Sequence, residues 1–188
     1  MSEGPGPEDA RSVADLLAVQ GRIKYLHFWG HRPPAAGGLS TSCLSQWWPA
    51  EFTADGTSYR TAEHYMMAGK ARLFGDEEIL EEILRADHPR QAKALGRKVR
   101  GFVQEEWEAA RFGIVVEGSV AKFGHDPALR DYLLGTGKRV LVEASPRDRV
   151  WGIGMGAAHD DAERPENWRG LNLLGFALME ARARLAAV

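Results

Sequence analysis

The segment YRTAEHYMMAGKA, residues 59–71, places three side chains with acid–base or nucleophilic chemistry on one predicted helix. Glu63 and Lys70 are seven residues apart, so they lie on the same face of that helix with Met67 between them. His64 lies on an adjoining face. A carboxylate among apolar side chains can act as a general acid or base, and a desolvated lysine can attack a sugar aldehyde. The alternative is a half-exposed face that carries two surface charges.

A second group of polar residues lies in VEASPRDRVWGIG. Glu143 ends a predicted strand, and Asp148 and Trp151 follow it in a loop. Carboxylates at strand ends and on loops are well placed to line a cleft. The alternative is that Asp148 pairs with a neighbouring arginine or caps a turn.

Tryptophan is unusually frequent for a chain of this size, with 6 residues in 188. Most are expected in the core, but one or two could stack on a planar base, because every base offers a π face. A stacked base and a nearby carboxylate are the minimum set of groups for cleaving an N-glycosidic bond, by analogy with glycoside hydrolysis. The candidates are Trp29, Trp47, Trp48, Trp107 and Trp151.

Other chemistries find little support in the chain. The six histidines show no HExxH or comparable spacing, and GIGMG lacks the GxGxxG spacing, so we expect neither a metal nor a dinucleotide cofactor. The net charge of −2 gives no global basic field, although Lys93, Arg97, Lys98 and Arg100 could form a local patch or a solvated helix face.

The expected compartment follows from the single cysteine and the apolar segments. Cys43 cannot form a disulfide within the chain, which fits a reducing compartment. The N-terminus lacks a secretory pattern, and no apolar run approaches the roughly 20 residues that span a bilayer. The sequence therefore predicts a cytoplasmic protein with no membrane partner.

The elements that must position these residues are mainly helical. Strands are predicted at 22–30 and 139–144, with a hairpin around Asp55-Gly56. Helices are predicted to begin at the N-cap residues Thr61 and Asp76 and at Pro89, and a long irregular segment covers 145–168. We predict an α+β fold in one compact domain, residues 22–188, after a partly disordered tail, residues 1–21.

Five blocks of sequence together resemble the NADAR superfamily and occur in its order. They are LSQWWPAEFTADGTSYRTAEHYMMAGKARLFGD, HPRQAKALGRKVRGF, WEAARFGIVVEGSVAKF, RVLVEASPRDRVWGIG and RGLNLLGFALMEARARL. The resemblance implies a compact, largely helical α+β domain without a cofactor. It also implies hydrolysis of an N-glycosidic bond, as in the riboflavin-biosynthesis-intermediate N-glycosidases of that family.

The resemblance also assigns roles to individual residues of this chain. It makes Glu63, Lys70 and Asp148 the catalytic residues. It implies substrate contacts for a further set: Phe28, Trp29, Trp107, Glu143, Trp151, Gly152 and Asn172.

The chain departs from the riboflavin-type pattern in one segment, IGMGAAHDDAERPENW, which is longer here and follows Trp151. Three functions therefore stay open. The first is an N-glycosidase acting on phosphoribosylamino-pyrimidine intermediates of riboflavin biosynthesis. The second is a glycohydrolase that removes ADP-ribose from guanine bases of nucleic acid. The third is a module that binds ADP-ribose or NAD without turnover.

Overall fold

The computed structural model describes residues 6–188. Contacts within the chain divide it into two compact units, one formed by 1–45 and 131–188 and the other by 46–130. The helices are α1 (Val13–Ala18), α2 (Ala62–Leu73), α3 (Glu77–Arg85), α4 (Pro89–Gly96), α5 (Gln104–His125), α6 (Pro127–Gly135) and α7 (Leu173–Ala186). The strands are β1 (Tyr25–Phe28), β2 (Phe52–Ala54), β3 (Thr57–Tyr59) and β4 (Val140–Glu143), and short 3-10 helices cover Pro7–Asp9, Thr41–Leu44 and Pro165–Asn167. The fold is α+β and mainly helical, as the sequence predicts.

The unit of residues 46–130 is built around α2, which packs against α3, α4 and α5. Strands β2 and β3 form the predicted antiparallel hairpin, with Phe52 opposite Tyr59. Asp55 and Gly56 both have positive φ angles, 49° and 75°, as a two-residue turn of this kind requires. The rings of Phe52 and Tyr59 stack at 5.7 Å and are buried.

The helices of this unit begin where capping chemistry predicts. The side chains of Thr61 and Asp76 accept hydrogen bonds from the third residue after each cap, and Pro89 is the first residue of α4. Asp76 also accepts hydrogen bonds from the backbone and guanidinium of Arg100. This contact holds the pKa of the Asp76 carboxyl well below its usual value.

In the other unit, β1 and β4 pair in parallel, with Tyr25 opposite Val140 and Phe28 opposite Glu143. Helix α7 packs against β4. Gly175 allows α7 to lie close to β4, since a Cβ atom at this position would collide with the carbonyl oxygen of Leu141.

The N-terminal tail is ordered over the part that the structure describes. It contains the 3-10 helix Pro7–Asp9 and α1, and two ion pairs connect it to the rest of its unit. Arg11 Nε lies 2.7 Å from a carboxylate oxygen of Glu180, and Lys138 Nζ lies 2.8 Å from one of Glu8. Residues 1–5 of the predicted tail lie outside the described residues.

None of the helices within residues 6–188 combines the length and the hydropathy that crossing a bilayer requires.

We expect Gly175→Ala to lower the free energy of unfolding by about 1–3 kcal/mol or more, because the added methyl group has no space beside the backbone of β4. Gly113→Ala is the matched control, since nothing lies within 4 Å of a Cβ atom there and the residue is exposed on α5. That control should leave stability unchanged or raise it by about 0.5–1 kcal/mol. Urea denaturation of both variants measures the difference, and equal values would contradict the close α7–β4 packing.

Candidate functional site

Glu63 lies in the first turn of α2 and is only 3% exposed. Its backbone N–H donates to the carbonyl of Gln46 at 3.0 Å, which fixes the start of the helix against the preceding segment. The positive end of the helix dipole favours an anion at this position. A carboxylate is rarely kept in an interior for stability alone, because its desolvation is costly.

His64 is a structural residue of the helix start. Its Nε2 lies 3.0 Å from the carbonyl oxygen of Ala86, and its Nδ1 lies 2.8 Å from Oγ1 of Thr61. Because a carbonyl can only accept, Nε2 carries the proton and Nδ1 accepts from the threonine hydroxyl. Burial lowers the pKa of His64, so the neutral ring is the stable form.

Lys70 lies two turns after Glu63, beside two aromatic rings. Its Nζ is 4.4 Å from the ring centroid of Phe102 and 5.5 Å from that of Trp107. Burial lowers the pKa of Lys70, whereas the faces of the two rings favour the charged ammonium and offset part of this effect. Trp107 is 9% exposed and forms an apolar wall for the amine.

Arg111 lies one turn after Trp107 on α5, and no sequence motif predicts a role for it. Its side chain is 12% exposed, and the nearest carboxylate, that of Glu108, is 3.9 Å away. Its Nε has no hydrogen-bond partner within the described part of the chain. Such a guanidinium retains a donor for an anionic ligand. In the sequence, the one indication of a role for Arg111 is its position four residues after Trp107.

Glu63, Lys70, Trp107 and Arg111 are called the helix cluster below, and all four belong to the unit of residues 46–130. Lys70 and Trp107 are in contact through the ring of the tryptophan.

Asp148 organises the turn that follows β4. Its Oδ1 accepts hydrogen bonds from the backbone N–H groups of Val150 at 2.8 Å and Trp151 at 2.7 Å. The turn-capping alternative raised from the sequence is therefore present in the structure. Oδ2 makes no hydrogen bond with any residue from 6 to 188, so the same carboxylate still offers an oxygen to a ligand.

Asn172 joins β4 to the start of α7. Its Oδ1 accepts from the backbone N–H of Glu143, and its Nδ2 donates to the carbonyl of Leu141, both at 2.9 Å. The side chain is fully buried. Its backbone is left-handed, with φ 53°, a conformation that asparagine tolerates better than most residues.

Gly152 allows the turn to pack against β4. A Cβ atom at this position would lie 2.8 Å from the carbonyl oxygen of Glu143. The Gly152 carbonyl accepts from the backbone N–H of Asn172 at 3.1 Å, and the next residue, Ile153, donates to the carbonyl of Glu143 at 3.0 Å. The turn is thereby tied to both β4 and α7.

The early aromatic pair is divided between the core and the surface. Phe28 is 2% exposed at the end of β1, whereas Trp29 is 65% exposed. Trp151 is half-buried, and its backbone is held by Asp148 and by Leu174. Trp29 and Trp151 therefore have ring surface that a base can reach.

Glu143, Asp148, Trp151, Gly152 and Asn172 are called the loop cluster below. The hydrogen bonds described above connect its members within their own unit. Phe28 and Trp29 adjoin it, because Phe28 lies opposite Glu143 in the β1–β4 register.

The long irregular segment 145–168 contacts β1 at its C-terminal end. Trp168 Nε1 donates to the carbonyl of Ala162 at 3.0 Å, and the Trp168 ring packs edge-on against Tyr25 of β1. Ile153 and Met155 are buried. These contacts place the segment against β1.

Within residues 6–188, no three His, Cys, Asp or Glu side chains lie close enough together to hold a metal ion. The cations of the helix cluster suit an anionic ligand. The exposed aromatic rings beside the loop cluster, in the other unit, suit a planar base.

The family model of the NADAR domain matches residues 27–186. An N-glycosidase of Acanthamoeba polyphaga mimivirus is 42% identical over 165 residues, which cover 85% of this chain and 95% of that protein. The N-glycosidase YbiA of Escherichia coli is 34% identical over 139 residues, 74% of this chain and 77% of that protein. An NMR structure of Escherichia coli YbiA superposes with a TM-score of 0.67 at 28% identity, covering 89% of this chain and 88% of the other.

We expect the His64 contacts to make stability fall as the solution becomes acidic. Because the folded state lowers the pKa of His64, its contribution is full above the ordinary value of 6.5 and is lost as pH falls through the folded value. Urea denaturation at pH 7.5 and pH 5.5 should show this loss, and His64→Gln should show a smaller one. An identical pH dependence in the variant would contradict the assignment.

Proposed function

Because the chain belongs to the NADAR family, we propose that it is an N-glycosidase, a hydrolase that acts on N-glycosyl compounds. The mimivirus and Escherichia coli relatives both carry the name N-glycosidase. We further propose that the substrates are phosphoribosylamino-pyrimidine intermediates of riboflavin biosynthesis. The catalytic domain would be residues 22–188, and the cytoplasmic location inferred from the sequence stays a prediction.

The observation that carries this proposal is the burial of Glu63 at the start of α2, two turns from the desolvated amine of Lys70. A buried carboxylate and a half-buried amine on one helix are costly for stability and are typical of functional sites. The reaction requires such groups. Water adds to the anomeric carbon and loses a proton, and the carbon–nitrogen bond breaks as the base nitrogen takes up a proton.

In this mechanism, we assign Glu63 to the attacking water or to the positive charge that develops at the anomeric carbon. The family resemblance gives Asp148 a catalytic role of the same kind. Oδ1 of Asp148 is held by two backbone N–H groups, so the carboxylate is oriented before substrate binds. Its second oxygen is the one that we assign to the substrate.

Lys70 has two proposed roles, and both use its position beside Phe102 and Trp107. It binds the phosphate of the substrate, or it attacks the opened sugar as an amine. Arg111 supports the first role, because a second desolvated cation follows Trp107 by one turn.

The remaining residues of the family pattern are proposed either to contact the substrate or to position residues that do. We assign base stacking to Trp29 or Trp151, whose rings are at least partly exposed. Asn172, Gly152 and Phe28 are buried, and we propose that they position Glu143 and the turn after it.

Removal of ADP-ribose from nucleic acid is the alternative N-glycosidase reaction. It calls for a basic surface, for which the sequence offers Lys93, Arg97, Lys98 and Arg100. Arg100 is paired with Asp76 and Glu78, which reduces the charge of this surface. We therefore place the metabolite reaction first.

We expect Glu63→Gln to lower the rate of hydrolysis by about 10²–10⁴-fold, the usual contribution of a positioned acid or base. Glu82→Gln, an exposed carboxylate on α3, is the matched control and should keep the parent rate. The rates are measured with folded protein, checked by thermal unfolding. If Glu63→Ala stays within about threefold of the parent, the catalytic assignment of Glu63 is wrong.

The substrate is tested by mass spectrometry with two compounds offered separately, the phosphoribosylamino-pyrimidine and an ADP-ribosylated guanine oligonucleotide. We expect release of ribose 5-phosphate from the first alone. Release of ADP-ribose from the second alone would move the activity to nucleic acid. Turnover of neither compound, with ADP-ribose still bound, would contradict the enzyme and leave a binding module.

A further inference from the structure

A cleft lies at the end of the β1–β4 pair that is opposite to Glu143. It has a volume of about 800 Å³ and is called the basic cleft below, after the four cationic side chains that line it: Arg22, Lys24, Lys138 and Arg139. Lys24 directly precedes β1, and Arg139 directly precedes β4. Phe28 and Glu143 lie at the other ends of these strands, four residues and therefore about 13 Å from Lys24 and Arg139 along the strand direction.

The charges of the basic cleft are only partly neutralised. Glu8 and Asp9 are the carboxylates among the lining residues from position 6 onward, and Glu8 pairs with Lys138 at 2.8 Å. Arg22 and Lys24 are exposed and form no ion pair within the described residues. The cleft therefore has an excess of positive charge in a chain whose net charge is −2.

Arg139 is held in place without losing its charge. Its Nε donates to the carbonyl of Thr136 at 2.9 Å, and its Nη2 donates to that of Gly135 at 3.1 Å. Backbone carbonyls orient a guanidinium but do not neutralise it. Arg139 is thus a preoriented cation at the cleft wall.

Arg182, a buried arginine of α7, adds a further positive charge behind this wall. It is 6% exposed, and its Nη1 donates to Oγ1 of Thr136 at 2.8 Å and to the carbonyl of Arg139 at 2.9 Å. Its Nη2 is buried without a hydrogen-bond partner, and no carboxylate pairs with Arg182, among residues 6–188. Burial lowers the pKa of Arg182 to about 10. Glu8 acts on Arg182 electrostatically without forming an ion pair with it, so burial is only partly compensated. An anion in the adjoining cleft would offset the rest of this penalty.

We propose that the basic cleft binds a phosphate-bearing small molecule and that Glu8 competes with this ligand for Lys138. The volume falls within the range of small-molecule sites, roughly 300–1,000 Å³. The 3-10 helix Pro7–Asp9 bounds the cleft on one side with acidic side chains, which disfavour a long polyanion. A compact phosphate group can replace the carboxylate of Glu8 at Lys138 while it also gains Lys24 and Arg22.

The test is isothermal titration of the full chain with inorganic diphosphate at low and at moderate salt. We expect saturable binding that weakens with salt, because the contacts are between partly exposed charges. Lys24→Glu should weaken binding by about tenfold or more, and Glu8→Gln should tighten it by about threefold or more, following the charge at the cleft. Lys98→Glu is the matched control, since it makes the same charge change on an exposed residue of the other unit.

A second variant separates this cleft from the candidate active site. Lys70→Met removes the cation of the helix cluster and should leave the diphosphate affinity of the basic cleft unchanged. Loss of all binding in Lys70→Met, or equal affinities in Lys24→Glu and Lys98→Glu, would overturn the proposal. The proposal would also be overturned if the parent protein did not bind diphosphate. Binding of duplex DNA in place of diphosphate would not rescue it. Lys24→Gln, which removes the charge without reversing it, serves if the glutamate disturbs folding.

Discussion

Among residues 6–188, strand β4 has a strand neighbour on one edge only, because its sheet there contains two strands. Buried backbone groups on the other edge must find partners, since each unmade hydrogen bond is costly. The side-chain amide of Asn172 bonds the N–H of Glu143 and the carbonyl of Leu141, and the N–H of Ile153 bonds the carbonyl of Glu143. The start of α7 and the turn before it therefore take the place of a third strand. The loop cluster is positioned from this edge.

This constraint explains the residue types around the edge. Only a side chain that both donates and accepts can satisfy the two groups that Asn172 bonds, so an aspartate could not replace it. Gly152 and Gly175 lack the Cβ atoms that would collide with the carbonyls of β4. The turn is then close enough for Asp148 to orient its backbone and for Trp151 to be held beside β4. The family pattern associates Asn172 and Gly152 with substrate, and in this structure both residues hold the turn and the end of β4 in place.

Local chemistry made much of the fold predictable. Caps at Thr61 and Asp76 and the Asp55-Gly56 turn act over a few residues, and the structure has them where the sequence indicated. The parallel pairing of β1 with β4 was not predicted, because it joins segments separated by more than 100 residues. For the candidate site, spacing placed Glu63 and Lys70 on one helix, and the family resemblance supplied the other positions. Neither could give the burial of Glu63, the rings beside Lys70, or the burial of Arg182 without an ion pair, since these depend on packing.

The division of the chain at residues 45 and 130 also has a consequence for the order of its synthesis. The unit of residues 46–130 is contiguous, so all of its contacts become available once that stretch has left the ribosome. The other unit is split, and β1 is made long before β4, Asn172 and α7. Domains begin to fold during translation from the N-terminal side, and non-local pairs form late. We therefore expect nascent chains to carry an unpaired β1 beside an already folded helical unit, and this exposed strand is the segment on which chaperones would act.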